Sequence, residues 1–122
     1  MATTVGTIAT PLATKLVSAT LSSETAEDNV TGGSGNCYAL EGDNTENSVA
    51  TYVKVHHSAN ATEDSSVAHW VFYLPASKKV SYIIPAGLAF ATGFSYWVTS
   101  TQANGSAQDS TQNPVTVRFL TT

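Results

Sequence analysis

Three histidines, His56, His57 and His69, are the side chains in this 122-residue chain best suited to hold a metal ion or move a proton. Neighbours on a strand point to opposite faces, so His56 and His57 cannot serve one ion without a bulge. His57 and His69 could meet across paired strands, but a metal centre needs three or four converging ligands, with a carboxylate or thiolate beside the imidazoles. Glu63 and Asp64, in the segment between them, are the nearest candidates by position. Nucleophilic chemistry has less to build on. No G-x-S-x-G elbow is present to present a serine. The run Gly32-Gly33-Ser34-Gly35 is followed by neither the Lys-Ser/Thr pair nor the helix pattern that a phosphate cradle requires. The acids Glu41, Asp43, Glu46, Glu63, Asp64 and Asp109 fall mostly in turn-like segments, where paired carboxylates for glycoside hydrolysis have no cleft to flank. A single cysteine, Cys37, excludes an internal disulfide framework and reads as a small buried hydrophobe near a strand start. These residues predict neither an enzyme nor a metal or cofactor site.

The elements that position them are strands. Val49, Thr51, Val53, Val55 and His57 alternate with Ala50, Tyr52, Lys54 and His56 along Ser48 to His57, the period-two signature of a half-buried strand. Val67 to Leu74 sets Ala68, Trp70, Phe72 and Leu74 against Val67, His69, Val71 and Tyr73, apolar on both faces and therefore central or covered by another subunit. Further strands are predicted at Lys15 to Leu21, Cys37 to Glu41, Lys78 to Ile84, Gly93 to Ser100 and Val115 to Leu120. Turns are expected at Gly42-Asp43-Asn44, Pro75-Ala76-Ser77 and Pro85-Ala86-Gly87. No window shows helical periodicity. About seven strands predict an all-β fold, an antiparallel β-sandwich that is Ig-like or jelly-roll-like, spanning residues 14–122. Residues 1–13 lack a period and predict an extended N-terminal arm, with Val5, Ile8 and Leu12 spaced to dock on a neighbour.

Composition narrows the partners. Charged residues make up 11% of the chain, against about 25% in typical domains, and the formal charge is -4 with a pI near 5.1. The five basic residues form no stripe for a phosphate backbone, so no nucleic-acid role is expected. A charge-poor surface suits a subunit covered by neighbours, because charges are depleted from interface cores. No apolar run is long enough to span a bilayer, and no basic-then-apolar leader opens the chain. The expectation is a product made in a host cytoplasm, with no membrane partner.

Three segments carry a resemblance: DNTENSVATYVKVHHS (43–58), LPASKKVSYIIPAGLAFATGFSYWVTST (74–101) and NPVTVRFLT (113–121). Their order resembles a recurrent group of small proteins encoded in tailed-bacteriophage genomes. That group carries a YVKL-like strand, a P-A-x-x-x-V-S turn and strand, a P-x-G-L-x-F-x-T-G segment and a C-terminal VTV strand. The likeness covers Cys37 to Thr121 and departs at His56-His57, where the group carries a Tyr-Asp or Trp-Asp pair. It implies a virion accessory protein.

Together, composition and resemblance predict a capsid decoration, or cement, protein on the outer surface of the virion. Its partners would be the major capsid protein and sister copies in a trimer or dimer. Val5, Ile8, Leu12, Tyr52, Trp70, Tyr73 and Trp97 are the expected interface residues. The alternative is a host- or glycan-binding module of a tail or head fibre, reading its target through an exposed Trp97 or Tyr52 and the 101–113 loop.

Overall fold

A computed structural model of the chain describes residues 13–21, 27–60, 67–100 and 113–122. The strands are β1 (Lys15–Leu21), β2 (Gly35–Asp43), β3 (Thr51–His56), β4 (Trp70–Leu74), β5 (Lys79–Phe90), β6 (Ser95–Thr99) and β7 (Val115–Thr121), and no helix occurs among the described residues. They form two antiparallel sheets, one ordered β1-β7-β2-β5 and the other β4-β3-β6. The β-sandwich read from the alternation is therefore present. Val5, Ile8 and Leu12 of the expected arm, with Glu63, Asp64 and most of the 101–113 loop, lie outside the described residues.

Strand order separates the two sandwich types. A jelly roll of eight strands places its first, eighth, third and sixth strands in one sheet, and its second, seventh, fourth and fifth in the other. The observed order is that arrangement, with a fragment of the second strand among the described residues. The fragment is visible: Glu27 and Tyr96 exchange both backbone hydrogen bonds, at 2.8 and 3.1 Å, and the Val30 N–H donates to the Phe94 carbonyl at 2.9 Å. Residues 27–30 thus occupy the free edge of β6, where a second strand would lie. The topology is jelly-roll-like rather than Ig-like.

The core lies between the sheets. In β7 the alternation Val115, Val117, Phe119, Thr121 is buried, while Arg118 and Leu120 face out. Phe119 meets Phe94 and Tyr96 with ring centroids 4.9 Å apart in each case, and Phe90 meets Phe94 at 5.1 Å. Each fully buried ring of this kind contributes about 2–3 kcal/mol by area, and tilted aromatic pairs add about 1 kcal/mol. Cys37 sits in this core, and burial pushes its thiol pKa up to about 11, which leaves it unreactive at neutral pH. The sheets are close enough that a Cβ on Gly42 would collide with the Leu74 side chain.

Three features differ from the expectation or narrow it. The Pro85-Ala86-Gly87 turn is a bulge inside one long strand: Cys37 pairs with Leu88 and Ala39 with Ile83, so Tyr38 alone opposes the stretch from Ile84 to Gly87. Pro85 is tolerated because β5 is an edge strand, and Gly87 adopts a φ of 77°. Of the two places expected for β4, which is apolar on both faces, the centre of a sheet is excluded, because it is an edge strand. Val49, expected on the core face, is exposed, because β3 begins only at Thr51.

That delayed start follows from a buried amide hub. The Asn44 Nδ2 group shares its protons among the carbonyls of Val49 (3.0 Å), Leu74 (3.3 Å) and Pro75 (3.1 Å). Its Oδ1 accepts from Asn47 Nδ2 and Thr51 Oγ1, both at 3.0 Å. Asn47 in turn grips the backbone of Asn113, accepting from its N–H at 2.7 Å and donating to its carbonyl at 2.9 Å. Two buried amides thereby tie the β2–β3 connection to the end of β4 and the start of β7.

Candidate interaction surfaces

The outward face of the three-stranded sheet carries Tyr52, Tyr73 and Trp97, three of the four expected interface residues that the structure describes, but it treats them unequally. In register, Tyr52 lies between Tyr73 and Thr99, and Lys54 between Val71 and Trp97. Tyr73 and Val71, on β4, are exposed, and the Tyr52 ring leans on Tyr73 at 5.7 Å between centroids. Trp97 and Lys54 have no exposed surface at all. Burial lowers the Lys54 pKa, because an ammonium loses hydration there. An exposed, target-reading Trp97 is therefore not what the fold provides. Trp70 points the other way, half-buried at the mouth of the sandwich, 6.1 Å from Phe94 and edge-on to His57 at 4.1 Å. Exposed apolar surface on this face thus concentrates on β4, whose outward residues Tyr73 and Val71 continue into exposed Val67. One edge acceptor of β4 is already used, since the Tyr82 hydroxyl donates across the sandwich to the Tyr73 carbonyl.

The histidines do gather, at the end of β3. His57 and His69 stack at 4.4 Å and His56 and His69 lie 4.7 Å apart. The His57 backbone N–H donates to His69 Nδ1 at 3.0 Å, which fixes that nitrogen as an acceptor and places the His69 proton on Nε2. His56 Nδ1 donates to the Val67 carbonyl at 2.8 Å. His57 Nε2 is buried, with no hydrogen-bond partner among the described residues. Burial, with repulsion from the neighbouring imidazoles, holds the pKa values of His57 and His69 below the ordinary histidine range. Among the described residues no three His, Cys, Asp or Glu side chains are arranged to hold a metal. The geometry fits a stacked His57–His69 pair that resists protonation.

The outward face of the four-stranded sheet holds a site that the sequence reading missed. Leu16 pairs with Leu120, Leu120 with Ala39, and Ala39 with Ile83, so one apolar row crosses all four strands. It is open to solvent, with Leu16 62% and Ile83 77% exposed. The next row is Ser18, Arg118, Glu41 and Ser81, in which Glu41 accepts from Arg118 at 2.9 Å and meets Lys79 at 3.4 Å. Beyond it run Thr20, Thr116, Asp43 and Lys79. Thr45 hydrogen bonds, aided weakly by Lys79 and Arg118, hold the Asp43 carboxyl below its usual range. A shallow groove of about 300 Å³ lies along the apolar row. The only signal in the sequence was an apolar residue at an outward position of each of four strands. Comparison with known proteins yields no match to any family model, curated protein or solved structure.

Proposed function

We propose that this chain is a phage virion structural protein, a capsid decoration or cement protein that binds the outer surface of the head and stabilises the shell. The observation that carries the reading is the position of β4. A strand apolar on both faces belongs in the centre of a sheet or under a neighbour, and β4 lies at an edge with Val67, Val71 and Tyr73 exposed. Exposed apolar edges are association sites unless they are covered. Capsid subunits would cover this one, burying apolar and hydroxyl-rich surface at little cost in charge desolvation. The acidic, charge-poor composition and the phage-like motif order support the same reading. Jelly rolls recur in viral capsid and lectin domains, a support by fold analogy alone.

Purified protein added to heads lacking it tests the proposal by electron microscopy. Added density on the outer head surface is the expected result, and it should weaken for Val71→Asp with Tyr73→Asp. Density confined to the tail would reject the head assignment. Adhesion of the isolated protein to host cells, with no binding to heads, would favour the host- or glycan-binding module instead.

A further inference from the structure

We infer that the outward face of the four-stranded sheet is a self-complementary surface on which a second copy of this chain docks, with a twofold axis running along the strands between β7 and β2. The argument needs only the register, and it stands whether or not the protein belongs to a virion. Such an axis exchanges β7 with β2 and β1 with β5 while keeping every residue at its own height along the strands. The apolar row then meets itself reversed, with Leu120 over Ala39 and Leu16 over Ile83 of the second copy. Large faces small in the centre, and branched aliphatics face each other at the flanks. One row along, Arg118 lies over Glu41 of the second copy and Glu41 over its Arg118, so cation meets anion twice. In the third row Thr116 opposes Asp43, and Thr20 opposes Lys79. No like charges are brought together.

Other placements fail this test. A twofold axis along the apolar row would also bring Leu16, Leu120, Ala39 and Ile83 into contact, but it turns the strands end for end. The Arg118 and Glu41 row would then leave its counterpart and face the opposite end of the sheet. Moving the strand-parallel axis half a strand spacing, onto β2, would set Arg118 over Ser81 and Glu41 over Glu41 of the second copy, and would leave Leu16 without an opposing strand. Charge complementarity, in an isologous contact of the kind closed dimers use, therefore selects the one axis. Sheets packed face to face keep their strands within about 30° of each other at a spacing near 10 Å, which a small tilt of this axis supplies.

The size of the face sets the strength. Four strands about 4.8 Å apart and seven residues long at about 3.4 Å each give a flat footprint of roughly 450 Å² per copy. A standard interface buries about 800 Å² per partner, so the dimer is a reversible, concentration-dependent one.

Sedimentation equilibrium of the full chain over a concentration series is the test. The parent protein should pass from monomer to dimer, and Ile83→Lys, at an outward position where the fold has no need of isoleucine, should shift the midpoint at least tenfold with an unchanged melting temperature. Arg118→Glu alone and Glu41→Arg alone should each weaken dimerisation. The double exchange should restore it, because both halves of the reciprocal pair are then reversed together. A parent chain that is monomeric throughout, a dimer indifferent to Ile83→Lys, or a double exchange no better than either single variant would each overturn the inference.

Discussion

The two ends of β3 solve the problem of buried polar groups in opposite ways. At the Thr51 end, Asn44 and Asn47 are buried and every side-chain amide hydrogen and oxygen has a partner. At the His56 end, His57 stacks on His69 with His56 tilted against it, and one buried nitrogen, His57 Nε2, has no partner among the described residues. Amides do not titrate, so the buried hub of the first end is indifferent to pH; the second end is built from the side chain that titrates nearest neutrality. The sandwich therefore has one end sealed by buried groups that do not titrate and another lined by imidazoles that acid can charge.

Asn44→Ala is the strongest way to break this contrast. It strands three carbonyls and the Thr51 hydroxyl in a buried site, and should cost roughly 3 kcal/mol or more. Denaturant unfolding at neutral pH measures it. A loss under about 1 kcal/mol would mean that water replaces the amide and that the end is not sealed.

Acid is the next largest effect. His57 and His69 have depressed pKa values in the fold, so below about 6.5 the unfolded chain binds more protons than the native one, and stability falls as pH drops from there towards the folded values. The loss should be complete only once both imidazoles protonate in the native state. Asp43 acts in a separate window: its depressed pKa stabilises the fold above the ordinary carboxyl value of 3.8 and is lost as pH falls below it. Unfolding curves at pH 7.5 and 5.5 should show the histidine loss. The same increment should appear in Asn44→Ala, since the two ends share no partner and distant sites add.

A smaller change sharpens the comparison from the other side. His57→Phe keeps the stack on His69 and the edge contact with Trp70, and removes the orphaned nitrogen. Neutral stability should rise or hold within about 1 kcal/mol, while the acid sensitivity shrinks. Undiminished acid sensitivity would place the titrating group elsewhere.

The smallest effect belongs to Ser77, which sits at a φ of 59° beside the amide hub and donates from its N–H and hydroxyl to the Asn47 carbonyl. Ser77→Gly relieves the left-handed backbone and gives up one hydrogen bond. The two changes should nearly cancel, within about 0.5 kcal/mol by thermal melting.

Much of the scaffold was legible because alternation is a property of one strand at a time. Val115, Val117 and Phe119 declare their inward face without reference to any other residue, and so do Val53 and Val55. What lay beyond reach depended on which strands meet. Asn44 has the composition of a turn, and its role as a buried hub appears only when Leu74, Pro75 and, through Asn47, Asn113 are brought beside it. Pro85 reads as a stop unless its strand is known to be an edge. Trp97 reads as a ligand-stacking ring on an outward position, and in the fold that position is buried. Leu16, Leu120 and Ile83 are each unremarkable as single exposed residues, and they become a row only through the order β1-β7-β2-β5.

The place of β7 in that order bears on how the chain is made. β7 lies between β1 and β2, pairing Lys15 with Thr121 and Cys37 with the same residue. It is also the last of the seven strands to be synthesised. At typical translation rates β1 waits roughly 5 to 20 s for its partner, and β2 waits nearly as long with one side open. No shorter nascent chain can assemble the four-stranded sheet, so folding cannot proceed strand by strand from the ribosome. Such long-range closure makes folding slow. Cells producing the protein in quantity would carry a standing pool of unfinished chains with open strand edges, whose losses to aggregation should rise with expression rate and fall when translation is slowed or chaperones are supplied.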